Sequence, residues 1–494
     1  MMAPQYPFTC LLACTLLIAG CTPFAPDGPV EVGIVGDSGS LFEEGVQLSP
    51  AAQHLRAAST EGLVALDSSG QVVPALAERW IVTDDGMSYI FRLRERAWPD
   101  GEPVKAEDVE LALTGLLGQL EGTALGLDLA KVTDIRAMTE KVVELRLSSP
   151  MPDFLRLLAQ PELGVIKSGS GAGPMVVSRD DEQPLARLSA LPPQERGLPR
   201  RPDWEASSRS LAVRSLPPGM AINAFSKGQI DLLLNGTLSA FPQIELGPLS
   251  RGTIQVDPAQ GLFGLVFRSD EGVLADPARR EALSMALDRA ALIEPFGLGG
   301  WQPTSWIVPP GMFGDQAIAG SRWEGLSLDE RRQIAATRMA TWRDENEVDE
   351  VVLRIGMPQG PGSDLVFDGI ARAWADIGVR AVQVRPGAGA ELTWRDTIAR
   401  YSSPRWYLNQ LNCELEIGLC SEAADEMVNA SLSITDPRVK RRMLAEAHAV
   451  LVAEDVFIPL GAPVRWSLVR GSIADYQPNP WGLHPLFPLS GPTN

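Results

Sequence analysis

Histidine is scarce in this chain: 494 residues hold three, and His54, His448 and His484 lie far apart. That spacing offers no His cluster for a metal ion. The sequence also lacks Gly-x-Ser-x-Gly, His-Glu-x-x-His and a phosphate-cradling glycine loop, so no catalytic constellation is visible and an enzyme is not expected. No cofactor motif is present. Basic residues are outnumbered, 43 Lys and Arg against 62 Asp and Glu, for a formal net charge of −19. Nucleic acid is therefore a poor partner, because phosphate binding wants clustered cations. The acid surplus reads as a solvated surface rather than as a cation site. Beyond the N-terminus no run reaches the ~18 apolar residues of a membrane-spanning helix.

What is present begins with a processing signal. Leu11 to Ala19 is an apolar stretch too short to span a bilayer, followed by Gly20 and Cys21. Ile18-Ala19-Gly20-Cys21 resembles a bacterial lipobox, which implies cleavage before Cys21 and lipidation of that cysteine, although Met1 to Thr9 contains no Lys or Arg. Of five cysteines, Cys10 and Cys14 leave with such a leader, and Cys21 carries lipid. Cys413 and Cys420 remain, an even pair in an oxidising compartment, which favours a structural disulfide. Two cysteines without a nearby His make half a zinc site at best. A redox-active pair more typically has two intervening residues, and this one has six.

Length and composition fit a globular chain of two to four domains at ~150 residues each. Val30, Val32 and Ile34 alternate with Glu31 and Gly33 as a half-buried first strand, and Tyr89 to Leu93 and Val143 to Leu147 read as sheet strands. Val109, Leu113, Leu116 and Leu117 form a helical stripe after Glu107 and Asp108, with Lys105 a poor N-cap. Asp276-Pro277 opens a helix, Ser363 starts another that Gly378 ends, and Asp436-Pro437 opens a third. Stretches at 168–174 and 192–203, rich in Gly, Ser and Pro, are candidate boundaries.

Five pieces in order carry a family resemblance: Glu61-Gly62-Leu63, Pro74-Ala75-Leu76-Ala77 ahead of Trp80, Asp85-Gly86, Trp98-Pro99-Asp100-Gly101, and Lys105-Ala106-Glu107-Asp108-Val109. Ser170-Gly171-Ala172-Gly173-Pro174, Gly228-Gln229-Ile230-Asp231, Phe267 with Asp276-Pro277 and Arg280, Pro309-Pro310-Gly311-Met312, and Ile458-Pro459-Leu460 continue it. Together they resemble the family 5 extracytoplasmic solute-binding proteins, the peptide, nickel and oligosaccharide receptors of ABC importers. The resemblance implies an α/β, two-lobed, periplasmic-binding-protein-like fold of type II, with a ligand cleft between lobes and an extra subdomain enlarging the first. Its boundaries are expected as follows: leader 1–20, tether 21–29, lobe I core 30–48, 172–259 and 466–494, extra subdomain 49–171, and lobe II 260–465. Most of the motif residues are turn and cap chemistry, so they say little about the ligand.

Candidate ligand contacts rest on what a closing cleft needs, which is flat apolar walls and a few directional polar groups. Trp301, Trp306 and Trp406 stand where the family places cleft-facing segments, with Trp394 and Tyr407 as weaker candidates; each is alternatively a core aromatic. Arg268 replaces a residue that is usually Asn in the family, and either pairs with a ligand carboxylate or makes an interlobe salt bridge with Asp270, Glu271 or another acidic side chain. Peptide-binding members carry an aspartate and an Asp-Pro pair after a tryptophan, and that aspartate holds the peptide α-ammonium. The run Trp406 to Glu416 has neither. Glu414 or Glu416 is the substitute, on a loop fixed by Cys413 and Cys420, unless both are solvent-exposed.

The resemblance thus implies a lipid-anchored monomeric receptor on the extracytoplasmic or periplasmic face of a bacterial membrane. It would bind an oligopeptide or peptide-like solute and present it to ABC permease subunits, touching the membrane only through its lipid. Alternatives on the same fold are a nickel chelate, an oligosaccharide, or a sensor or envelope lipoprotein no longer coupled to transport.

Overall fold

The computed structural model describes residues 28–180, 183–244, 252–316, 318–473 and 475–491. The leader segment and Cys21 lie outside the described residues. Among those described, three sheets organise the chain. The first runs Met175–Arg179, Leu185–Ala190, Leu211–Leu216, Val30–Val35, Leu232–Thr237, Arg465–Val469, Ile254–Val256. Val30–Val35 lies at its centre, parallel to both neighbours. It is not half-buried as its alternation suggested: Val32, Gly33, Ile34 and Val35 are all buried. A parallel central strand is covered on both faces, and alternation then loses its meaning.

The second sheet runs Val379–Val384, Val351–Gly356, Leu392–Ile398, Gly261–Phe267, Phe457–Gly461. The chain passes from the first sheet to the second after Ile254–Val256 and returns between Phe457–Gly461 and Arg465–Val469. At the return, Gly236 is required for close approach, since a Cβ there would sit 2.1 Å from the Trp466 ring. The third sheet is antiparallel, in the order Ala77–Val82, Ser88–Leu93, Val142–Leu147, Val132–Thr139, and covers one face with helix Ala106–Gln119. That helix starts as its sequence suggests: the Lys105 N–H donates to Asp108 Oδ2 at 3.1 Å, the acid supplying the cap that the lysine side chain does not.

Helices in the second half form where capping chemistry puts them. Pro277–Met285 begins behind Asp276, whose carboxylate accepts from the Ala278 N–H, and Pro437–Ala453 behind Asp436. The helix expected from Ser363 begins two residues earlier, at Pro361, and Gly378 at φ +79° lies beyond its last residue Ala375. Arg289–Ile293 is a separate short helix capped by Asp288.

Packing joins these units. One buried cluster unites Phe91 and Leu145 of the third sheet, and Phe154, with Trp406, Leu444 and Leu451 of the second lobe. Another unites Val35 and Leu233 of the first sheet with Phe263, Ile370 and Trp374. Apolar burial at roughly 25 cal/mol per Å² makes such shared cores strong contacts. The lobes are in contact in this structure.

Candidate functional site

Between the lobes lie two adjoining cavities, of about 240 and 460 Å³. Both touch Leu48, Thr397, Ile398 and Arg400. The smaller reaches Asn235, Asp396, Arg465 and Trp481; the larger reaches Glu43, Leu125, Glu162, Trp406 and Gln410. A still larger cavity, about 720 Å³, lies between helices Pro50–Ser59 and Ala106–Gln119 and has no lining residue beyond Arg179. Only the first two have walls from both lobes, and so only they change shape if the lobes separate.

The floor of this cleft is the end of strand Leu392–Ile398. Trp394, Asp396 and Ile398 share one strand face by the period of two, and Arg400 continues the pattern beyond the strand. Arg400 reaches across to the first lobe. Its Nη2 donates to Glu162 Oε1 at 2.8 Å, and its Nη1 to Glu162 Oε2 at 2.9 Å and Gln160 Oε1 at 2.7 Å. Gln53 Nε2 donates to the same carboxylate at 2.9 Å. The Glu162 side chain is 1% exposed and that of Arg400 26%. Burial raises the Glu162 carboxyl, but the Arg400 guanidinium outweighs it and holds the group below its ordinary value. A second pair sits where the chain returns: Arg465 Nη1 donates to Asp396 Oδ1 at 2.7 Å.

Next to the cleft, helix Pro404–Asn409 is buried along its whole length and holds Trp406 against the larger cavity. The Trp406 ring meets Tyr407 edge-on at 4.9 Å and is 1% exposed. Its neighbours tie the helix to Asp128 of helix Ala124–Leu129. Asp128 Oδ1 accepts from Tyr401 Oη at 2.9 Å and Asn409 Nδ2 at 2.7 Å, while Arg405 Nη1 donates to the Asp128 carbonyl at 3.0 Å and Nη2 to that of Leu127. Burial pushes the Asp128 carboxyl up to about 6, against the pull of Arg405, Asn409 and Tyr401. Nearby, Lys131 Nζ and Lys440 Nζ, from opposite lobes, both donate to Ser149 Oγ and Pro150 O. Burial lowers Lys131, and Lys440 and Arg405 lower it further.

Of the side chains singled out from sequence, Trp406 alone lines these two cavities. Trp301 donates from Nε1 to Ala462 O at 2.9 Å and packs edge-on against Phe263 and Phe296. Trp306 stacks on His448 at 6.2 Å, and Trp394 meets Phe263 at 4.7 Å. Tyr407 is buried beside Trp406. Arg268 does not pair with Asp270 or Glu271: Nη1 donates to Glu416 O at 3.2 Å and to Ile417 O. It therefore clamps the loop that the Cys413–Cys420 disulfide closes. Glu414 and Glu416 are exposed on that loop, Glu416 at φ +50°. Arg400, Glu162, Asp396 and Arg465 were missed. The available signal was the alternation of 394, 396, 398 and 400, polar and apolar on one strand face.

Comparison with known proteins places this geometry. The family model described as bacterial extracellular solute-binding proteins, family 5 Middle, matches residues 71–403. A probable deoxycholate-binding periplasmic protein, YgiS, of Escherichia coli strain K12 is 36% identical over 160 residues, 29% of this chain and 30% of that protein. The periplasmic oligopeptide-binding protein OppA of Salmonella typhimurium is 23% identical, covering 94% of each chain. Among solved structures, the murein tripeptide binding protein MppA of Escherichia coli superposes with a TM-score of 0.77 at 20% identity, covering 93% of this chain and 98% of that one. The fold is thus the two-lobed one of periplasmic binding proteins, and the chain belongs to the family 5 bacterial extracellular solute-binding proteins.

Proposed function

We propose that this protein is the lipid-anchored receptor of an ABC importer, held at the extracytoplasmic face through Cys21, and that it captures a small peptide-like solute as a monomer. One observation carries the reading: the paired cavities take their walls from both lobes, with Trp406 and Leu48 as apolar faces and amide and hydroxyl groups between them. Ligand that touches both lobes favours the arrangement in which they meet, and a permease can recognise the surface so formed. The relatives named above are binding proteins for an oligopeptide, a murein tripeptide and, probably, deoxycholate. Two cavities of a few hundred Å³ suit a short peptide better than a long one.

The experiment is to purify the protein under native conditions, unfold it, and identify released small molecules by mass spectrometry. A series of short peptides or their derivatives supports the reading. A recovered metal chelate, glycan or steroid overturns the peptide class while leaving the receptor role. Lipidation is checked separately, by the mass of the N-terminal fragment and its loss on Cys21→Ala.

A further inference from the structure

The charges of the cleft point to a narrower class of ligand, on the reading that the cavities between the lobes hold the solute. Five ionisable side chains line them: Glu43, Glu162, Asp396, Arg400 and Arg465. Four are already used up in pairs. Arg400 and Glu162 are joined by two parallel bonds, and Gln160 and Gln53, both from the first lobe, hold the two members from behind. Arg465 and Asp396 are joined at 2.7 Å, with side chains 10% and 13% exposed. Glu43 is the exception; it is exposed, and its Oε2 accepts the Ser49 N–H at 2.7 Å where helix Pro50–Ser59 begins. An ion pair with an exposed carboxylate in water contributes little.

We infer that this cleft selects peptides whose two ends carry no charge, such as N-acylated, C-amidated or cyclic ones. A free α-ammonium on Glu162 keeps the Arg400 guanidinium from re-forming its two bonds when the lobes close, and it leaves Arg400 without its partner at the meeting of the lobes. A free α-carboxylate seeking Arg400 strands Glu162, which is 1% exposed. A zwitterion bridging both must prise apart a pair with no gap between its members. Neutral amides meet none of these costs, because they exchange hydrogen bonds with the Gln, Asn and Thr side chains of the walls and leave both pairs in place.

The test uses two pools of tripeptides of identical side-chain composition, one with free ends and one N-acetylated and C-amidated. Each is equilibrated with the full protein across a dialysis membrane, and the retained peptides are quantified by mass spectrometry. The capped pool is expected to be retained at least about tenfold better, the factor that corresponds to one modest difference in binding free energy. Arg400→Gln, which frees Glu162, is expected to shift retention towards the uncapped pool, an effect that a merely structural role for Arg400 does not produce. Equal or better retention of the uncapped pool by the unaltered protein overturns the inference and leaves the peptide-receptor reading standing. Retention of neither pool overturns both.

Discussion

Replacing Glu162 by Gln removes one charge from the cleft with almost no change of shape. The carboxylate it replaces is 1% exposed and bonded twice to Arg400 and once to Gln53. Removing one member of a fully buried ion pair costs roughly 3–5 kcal/mol, because the other charge stays buried without compensation. Three features reduce that here. The Arg400 side chain is 26% exposed and keeps Gln160 as an acceptor, and the new amide oxygen still accepts one bond. The expected loss is therefore about 2 kcal/mol at pH 7. The sign of the pH dependence follows from the lowered carboxyl. A group depressed in the folded state contributes stability that is present above its ordinary value of 4.5 and is lost as the pH falls through the folded value. The gap between variant and wild type should accordingly close in acid.

Urea unfolding at pH 7 and below pH 4, on wild type, Glu162→Gln, Arg400→Gln and the double variant, measures this directly. The double-mutant cycle should return a coupling of about 2 kcal/mol. If Glu162→Gln lies within about 0.5 kcal/mol of wild type at pH 7, the range of ordinary surface substitutions, the pair is merely a solvated surface contact. Glu162 and Arg400 then do not close the cleft to charged ends.

Asp128→Asn should gain on wild type as the pH rises from 4 to 7, by up to about 3 kcal/mol, because a carboxyl raised to about 6 contributes stability fully present below 3.8 and lost above 6; a gap independent of pH in paired unfolding curves refutes this. His54 and His448 are both lowered to about 4 by burial, so their contribution is present above 6.5 and lost as the pH falls to 4, about 3 kcal/mol each, seen as a steep loss of thermal stability in that window that His54→Asn reduces. Opening the Cys413–Cys420 bridge should cost about 2.5 kcal/mol for so short a loop, and Arg268→Ala should cost more in the Cys413→Ser, Cys420→Ser background than in wild type, since guanidinium and disulfide restrain the same segment; additive losses would show that they do not.

The scaffold was legible because local chemistry writes it. Asp276-Pro277 and Asp436-Pro437 announce helix starts from two residues, and the pairing of Ser88–Leu93 with Val142–Leu147 joins two strands each readable by its own alternation. Of the residues that line the two cavities, only Trp406 stands out from sequence. Arg400 and Glu162 are separated by 238 positions, and nothing near either in sequence says that the other completes it. Arg268 misled for the opposite reason. Its neighbourhood in sequence offers Asp270 and Glu271, yet folding brings the carbonyls of Glu416 and Ile417 closer. Trp301 and Trp394 were readable as cleft or core aromatics; the structure packs both, half-buried, edge-on against Phe263, which lies 38 and 131 positions away in sequence.

The segment after residue 400 shows what a missing signature residue means physically. The run from Trp406 lacks the aspartate that the family resemblance implies there, which leaves Glu414 and Glu416 as the acids nearest in sequence. Those two are exposed, and the buried acid stands on the other side of the interface, as Asp128. Segment 401–409 supplies donors instead: Tyr401 and Asn409 to the Asp128 carboxyl, Arg405 to its backbone and that of Leu127. No ion pair within 4 Å reaches Asp128 among the described residues, and Oδ2 has no partner, while burial raises the carboxyl to about 6. The polar side chains of this segment are committed to contact between lobes. What remains for the solute is an indole wall, amides and two closed ion pairs, and a ligand with charged ends finds no open partner among the buried groups of that surface.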